Sequence, residues 1–208
     1  MILVLNAGSS SLKVEVFDHA LTSAISGQVS SIGTAGELKL GDRQDSVETN
    51  NHAEALTLML AALSDAGHGL ETLTAAAHRV VHGGTILTAP ARVTPVVIEA
   101  IRSVIPLAPL HNPNNLAAML ALGEMAPDLP QYASFGTAFH ATNPDVATRY
   151  AIPQTQHDAG IRRYGFHGLS YANMVAEFGN ALPARLLALH LGNGASLCAI
   201  KDGKSIAT

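Results

Sequence analysis

The first segment that could do chemistry is a serine-rich turn near the start of the chain. Residues 6–13 read Asn-Ala-Gly-Ser-Ser-Ser-Leu-Lys, which brings small side chains, hydroxyl groups, backbone amides and the cation of Lys13 together. Such a combination suits an anion such as phosphate. The segment lacks the GxxxxGK[ST] pattern of a Walker loop, and an ordinary serine-rich hairpin turn explains it equally well.

A second segment places arginine between histidines. Residues 78–84 read His-Arg-Val-Val-His-Gly-Gly. Because side chains alternate along a strand, His78, Val80 and His82 would share one face and Arg79 would lie on the other. Arg79 beside a valine could hold a carboxylate or phosphate against an apolar wall, or it could pair with a surface acid. The histidines indicate a metal pair only weakly, since the glutamate of an HExxH motif is absent.

Three further segments combine histidine with proline or glycine. Residues 109–113 put His111 beside a predicted helix N-terminus, which favours anions, although simple capping also explains the segment. Residues 164–168, Tyr-Gly-Phe-His-Gly, put His167 in a tight loop. Residues 189–194, Leu-His-Leu-Gly-Asn-Gly, form a glycine-rich turn after a strand. These segments are candidate binding loops, and packing alone is the alternative.

The hydrophobic pattern predicts the elements that would position these segments. Strands are predicted at 2–5, 12–17, 75–81 and 131–135, with a final hairpin from 185 to the end that turns at 202–203. Helices are predicted at 51–66, 95–104, 113–125 and 170–178, with Thr94 and Asn112 as capping residues. This order predicts an α/β class with a mixed sheet, and the prolines at 144 and 153 suggest a domain boundary at 142–156.

The last segment of the chain is similar to the first. Residues 2–12 and 186–197 each run from an apolar strand through a small-residue turn into a second strand. We interpret them as the first hairpins of two related domains, the alternative being that two buried hairpins look alike by chance. Residues 186–208 can form a hairpin but hardly a core, so the chain is expected to be cut short.

Composition limits the classes of function. The chain has 208 residues, of which 48% are hydrophobic and 13% charged, so it can bury a core. A net charge of −4 and an aromatic content of 4% argue against nucleic-acid and anionic-membrane partners. The single cysteine, Cys198, excludes an intrachain disulfide and a multi-cysteine metal site. With no signal-peptide pattern, we expect a cytoplasmic protein.

Taken together and in this order, the segments resemble the acetate kinase (acetokinase) family, whose close relatives are the propionate and butyrate kinases. The matching segments are 6–13, 78–84, 109–115, 135–140, 163–168 and 190–196. The resemblance implies a ribonuclease-H-like domain of the acetate and sugar kinase, Hsp70 and actin superfamily, followed by the beginning of a second similar domain. Residues 1–150 would be the acyl-substrate domain, and residues 151–208 the truncated start of the nucleotide-binding domain.

The resemblance also implies a reaction and a set of roles. ATP would transfer a phosphoryl group directly to acetate with Mg²⁺ present, giving ADP and acetyl phosphate for acetyl-CoA biosynthesis, in a protein that is a homodimer when full length. Arg79 would bind the acyl substrate and the phosphoryl group, His167 would stabilise the transition state and His111 would support the site. Val81, Leu110 and Phe166 would form the apolar pocket for the acyl group, and Asn6 would lie near the metal. The nucleotide would be bound by Ser9, Ser11, Lys13, His190, Gly192, Asn193 and Gly194.

The sequence departs from the family pattern in two ways. Gly136 stands where the family has the aspartate of Phe-Asp-Thr-Ala-Phe-His, so a severe rate defect is expected. The chain is also about half as long as family members, and Ala207 replaces an aspartate, so residues 1–208 alone are expected to be a poor catalyst. Two alternatives stay open: a propionate or butyrate kinase, and a non-catalytic module that binds an acyl phosphate or nucleotide.

Overall fold

The computed structural model describes every residue of the chain, Met1–Thr208. Its strands are β1 Ile2–Ala7, β2 Ser11–Phe17, β3 Ser23–Ser30, β4 Ala35–Leu40, β5 Arg43–Glu48, β6 Ala75–Val80, β7 Ala91–Arg92, β8 Gln131–Phe135, β9 Arg185–His190, β10 Ser196–Lys201 and β11 Lys204–Ala207. Its α-helices are α1 His52–Asp65, α2 Pro95–Ser103, α3 Asn112–Met125, α4 Asp145–Thr148, α5 Gln154–Asp158 and α6 Gly168–Phe178. None of these helices has the length and apolar character needed to cross a bilayer.

The chain divides into two compact units. The first unit contains Met1–Val81 and Pro90–Ser134, and the second contains His82–Ala89 and Phe135–Thr208. An eight-stranded sheet has the order β5-β4-β3-β2-β1-β6-β8-β7, and a three-stranded sheet has the order β11-β10-β9. Since β1 pairs antiparallel with β2 but parallel with β6, the larger sheet is mixed. The predicted α/β class with a mixed sheet is therefore confirmed.

The core of the first unit lies under one face of its sheet. The predicted alternation of β2 is confirmed, because Leu12, Val14 and Val16 are buried while Lys13 is exposed. These residues join a cluster that includes Met59 of α1 and Leu122 of α3. Burying this apolar surface is the main force that holds the two helices against the sheet.

The helix starts follow local capping chemistry in two of three predicted cases. Asn51 Oδ1 accepts a hydrogen bond of 2.9 Å from the Glu54 backbone N–H at the start of α1. The Thr94 hydroxyl accepts one from the Val97 N–H at the start of α2. The prediction for Asn112 is wrong: it is the first residue inside α3, fully buried, and His111 occupies the cap position without a side-chain cap bond.

The second unit is built on a three-stranded antiparallel sheet. Its buried cluster joins Tyr171 of α6 to Cys198 and Ile200 of β10. The predicted turn at 202–203 is confirmed, with positive φ at Asp202 and Gly203. The segment from 185 to the end forms three strands: the small-residue turn predicted within 186–197 separates β9 from β10, and the turn at 202–203 separates β10 from β11. Helix α6 begins two residues before its predicted start.

Candidate functional site

A half-buried arginine, Arg79, lies near the end of β6 in the first unit. Parallel pairing aligns Leu5 with His78, so the next residues, Asn6 and Arg79, are neighbours. Arg79 Nη1 donates to Asn6 Oδ1 at 3.2 Å. Burial lowers the pKa of Arg79, but a guanidinium stays protonated in proteins.

No carboxylate neutralises this arginine. All salt bridges of the chain lie elsewhere, on Lys39, Arg43 and Arg102. The alternative in which Arg79 pairs with a surface acid is therefore wrong. A partly desolvated guanidinium with one neutral partner favours an incoming carboxylate or phosphate, which would accept its remaining N–H groups.

Asn115 connects the two strands that carry Asn6 and Arg79. Its side chain is 1% exposed, donates to the Ala7 carbonyl at 2.8 Å and accepts from the Val81 N–H at 3.1 Å. Both backbone groups lie beyond the paired residues of β1 and β6, which end at Leu5 and His78, so the amide continues the link between the two strands. Asn115 was missed as a site residue, because it is one of three asparagines in residues 112–115 and only its contacts distinguish it.

The serine-rich turn presents unpartnered donors beside Asn6. The Gly8 N–H donates to the Ser11 carbonyl at 2.7 Å, and the Gly8 carbonyl lies 2.7 Å from His52 Nε2. No hydrogen bond engages the Ser9 or Ser11 hydroxyl. Lys13 is exposed and faces Asn6 across the β1–β2 pairing. These groups are available to an anion, as the sequence suggested.

The predicted acyl-pocket residues differ in exposure. Val81 is buried, whereas Leu110 is 73% exposed in the turn before α3 and Phe166 of the second unit is 44% exposed. His111 is half-buried at the cap position of α3. Their shared role in binding an acyl group stays a prediction.

Two predicted histidines come together in the second unit. The rings of His167 and His190 stack with centroids 4.1 Å apart and planes 13° from parallel. His167 Nδ1 lies 2.9 Å from Ser196 Oγ, and His190 Nδ1 lies 3.1 Å from Ser170 Oγ. His167 has a left-handed backbone conformation with φ 56°, which is uncommon for a residue other than glycine.

The glycine-rich turn lies against this histidine pair. Gly192, Asn193 and Gly194 are exposed, and their backbone N–H groups make no hydrogen bond within the chain. A Cβ built on Gly194 would lie 3.5 Å from the His167 ring. Free amides beside two imidazoles are groups that can donate hydrogen bonds to phosphate oxygens.

A buried histidine fixes the backbone that precedes His167. His140 Nε2 lies 2.9 Å from the Phe166 carbonyl, and its Nδ1 lies 2.9 Å from Ser205 Oγ. Burial lowers the pKa of His140, so the imidazole is neutral at neutral pH. Any side chain at Gly165 would collide with the ring, since a Cβ there would lie 2.4 Å from it. His140 and Ser205 were missed as site residues, and only their contacts identify them.

The residues present do not form a magnesium site by themselves. Mg²⁺ in proteins is usually held by one or two carboxylates together with substrate phosphates. Gly136 supplies no carboxylate, and its carbonyl accepts from the Gly168 N–H at 2.8 Å. Asn6 Oδ1 already accepts from Arg79, and no group of three or more His, Cys, Asp or Glu side chains could hold a metal ion.

Comparisons with known proteins agree with one another. The model of the acetokinase family matches residues 1–208. An acetate kinase of Deinococcus radiodurans is 44% identical over 99% of this chain and 54% of its own length, and one of Methylocella silvestris is 41% identical over 100% and 57%. The chain thus spans about half the length of the curated relatives it matches.

Solved structures give the same assignment. The acetate kinase of Porphyromonas gingivalis matches with a TM-score of 0.90 at 36% identity, covering 99% of this chain and 56% of that one. A propionate kinase of Francisella tularensis matches with a TM-score of 0.91 at 35% identity and the same coverage. The match therefore extends over the whole fold and includes the segments that carry Arg79, His167 and His190. The chain belongs to the acetokinase family.

Proposed function

We propose that this chain carries the acyl-substrate and phosphate-binding residues of a kinase that transfers a phosphoryl group from ATP to acetate. The observation that carries the proposal is the half-buried guanidinium of Arg79, which has the Asn6 amide as its hydrogen-bond partner and no carboxylate. Family membership and the free amides of the turn at 192–194 support it. The proposed substrates are therefore acetate and ATP.

The proposed reaction is a direct in-line transfer. An acetate carboxylate oxygen forms a bond to the γ-phosphorus while the bond from that phosphorus to the β–γ bridging oxygen breaks, and ADP leaves. A carboxylate is already a nucleophile, so the protein needs to position two anions and neutralise their charge rather than supply a strong base. Arg79 would neutralise the acetate and the transferring group, and His167, with His111 in support, would stabilise charge in the transition state.

Other roles proposed here rest on the family and on the donor chemistry. Ser9, Ser11 and Lys13 would contact the phosphates, together with His190 and the turn at 192–194. Residues 1–150 would form the acyl-substrate domain and residues 151–208 the start of the nucleotide-binding domain. Magnesium would arrive with the ATP phosphates close to Asn6, and this chain supplies no step through it. A homodimer, a cytoplasmic location and a place in acetyl-CoA biosynthesis complete the proposal.

Substrate length is set only weakly by an apolar pocket. Val81, Leu110 and Phe166 would contact the acyl chain, and one methylene changes binding in such a pocket by about 1–3 kcal/mol. Propionate is therefore an alternative substrate, in keeping with the propionate kinase among the similar structures. Butyrate would require a larger pocket.

A non-catalytic binding module is the second candidate. Gly136 removes the carboxylate that the family places after β8, and no acidic cluster replaces it. A module of this kind would keep the Arg79 anion site and the phosphate-binding turn without turning over substrate.

A hydroxamate assay for acetyl phosphate separates the two candidates. It is run with ATP and acetate on the 208-residue chain and on any longer product of the same gene. The kinase proposal expects product that depends on ATP and is lost in Arg79→Gln but not in Arg102→Gln, an exposed arginine of the same unit. If neither polypeptide forms acetyl phosphate, or if Arg79→Gln is as active as the unchanged protein, the kinase proposal is wrong.

A further inference from the structure

We propose that the second unit holds a separate site for a small oxyanion, of the size of inorganic phosphate. A cavity of about 110 Å³ lies among Thr85, Thr88, Thr137, Arg162, Arg163 and Tyr164. It shares no residue with the Arg79–Asn6 pair or with the turn at 192–194, but His140, which fixes the backbone before His167, also lines it. The groups that would bind the oxyanion here are nevertheless not those proposed for the kinase reaction.

The charge of the cavity is positive, and no side-chain carboxylate compensates it. Two neighbouring arginines line it, no aspartate or glutamate does, and neither arginine forms a salt bridge with a side-chain carboxylate. Arg163 Nη1 donates to the Thr208 carbonyl at 2.8 Å, so Arg162 is the one with free terminal donors. Arg162 lies over the Tyr164 ring at 5.6 Å and uses only its Nε, in a long contact of 3.5 Å with the Arg163 carbonyl. Its two terminal NH₂ groups have no acceptor within the chain, and this fork geometry matches two oxygens of an oxyanion.

A buried hydroxyl supports the same ligand class. Thr137 is 5% exposed, and its Oγ1 accepts from the Gly83 N–H at 3.0 Å. The hydroxyl hydrogen has no acceptor in the chain. Leaving a buried donor unsatisfied is costly, so a ligand that accepts from it would be bound favourably. The exposed hydroxyls of Thr85 and Thr88 also have no partner within the chain.

The cavity is small. Its volume of about 110 Å³ lies below the roughly 300–1,000 Å³ of typical cavities for larger organic ligands, which favours a compact ligand. A phosphate ion fits, and so does the phosphoryl end of an acyl phosphate whose organic part stays in solvent. The shared chemistry is a compact oxyanion bound by cationic and hydroxyl donors.

Phosphate titration followed by backbone amide NMR tests the site. The 208-residue chain carrying Arg79→Gln is used, so that the anion site at Arg79 is disabled, and ionic strength is held constant with chloride. We expect saturable shifts at the amides of Gly84, Thr85 and Thr137. Arg162→Gln should weaken binding roughly tenfold or more because a charged donor pair is lost, while Arg162→Lys should restore part of the affinity.

The controls make the outcomes distinct. Arg149→Gln removes an exposed arginine of the same unit that does not line the cavity, and it should bind phosphate unchanged. Tighter binding of acetyl phosphate than of phosphate at the same amides would identify the acyl phosphate as the ligand, and the reverse order would identify free phosphate. The proposal would be overturned if Arg162→Gln and Arg149→Gln bound phosphate with equal affinity while thermal unfolding showed both variants to be folded. Amide shifts confined to residues 190–196 would also overturn it.

Discussion

Asn115 offers the sharpest test of how the first unit holds its site. Asn115→Ala leaves the Ala7 carbonyl and the Val81 N–H buried without a partner. Each unsatisfied buried group costs about 1–3 kcal/mol, so the free energy of unfolding should fall by ~2–6 kcal/mol. For a chain of this size each kcal/mol shifts the melting temperature by roughly 2–4 °C. The loss should also loosen the strand ends that carry Asn6 and Arg79.

Urea unfolding followed by circular dichroism and by amide exchange of the first unit measures this loss. Asn114→Ala is the matched control, because its Nδ2 makes only long contacts of 3.3–3.5 Å with the Gly8, Ser9 and Leu110 carbonyls. It should cost less than about 1 kcal/mol. If Asn115→Ala is no more destabilising than Asn114→Ala, the bridge does not hold the strand ends together and this reasoning is refuted.

Three further predictions concern pH and glycine positions. Burial lowers the pKa of His78 to about 4, so below pH 6.5 the unfolded chain takes up a proton at this residue that the native state does not. The free energy of unfolding should therefore fall by ~3 kcal/mol as the pH drops from 6.5 to 4. His78→Asn should flatten the dependence of the urea midpoint on pH. Gly165→Ala should destabilise the second unit by about 1–3 kcal/mol or more, because the added methyl group clashes with the His140 ring. Gly192→Ala is the control, since its Cβ would make only an ordinary contact at 3.6 Å, and it should leave thermal unfolding unchanged. Gly136→Asp should raise the hydroxamate-assay rate of a longer, catalytically competent product by about tenfold or more, and an unchanged rate would contradict a role for that carboxylate.

The elements with strong local signals could be predicted from the sequence. Alternation in β2, the capping residues Asn51 and Thr94, and the turn at 202–203 all act through near neighbours in the chain. The prediction that Asn112 caps α3 failed because an asparagine before proline can be either a cap residue or a buried first residue of the helix. Tertiary packing decided between them, since Asn112 is fully buried.

The site could be predicted only in part. Arg79, His167 and His190 stand out by residue type and spacing. The rings of the two histidines stack because the connection between α6 and β9 brings β9 back beside α6. Asn115 and His140 act through contacts with carbonyl groups that lie 108 and 26 positions away in the sequence. Pairings over such separations depend on the folded chain, so residue type alone does not reveal them.

The most direct test of the central claim is calorimetric titration of acetyl phosphate into the 208-residue chain carrying Arg162→Gln, which disables the second oxyanion site, at constant ionic strength. The claim is that Arg79, held by Asn6 and free of any carboxylate, receives the anion. Arg79→Gln should weaken binding by roughly 10- to 150-fold, the equivalent of ~1.5–3 kcal/mol for charged hydrogen bonds, and Arg102→Gln should bind like the unchanged chain. Equal binding by Arg79→Gln and Arg102→Gln would contradict the account.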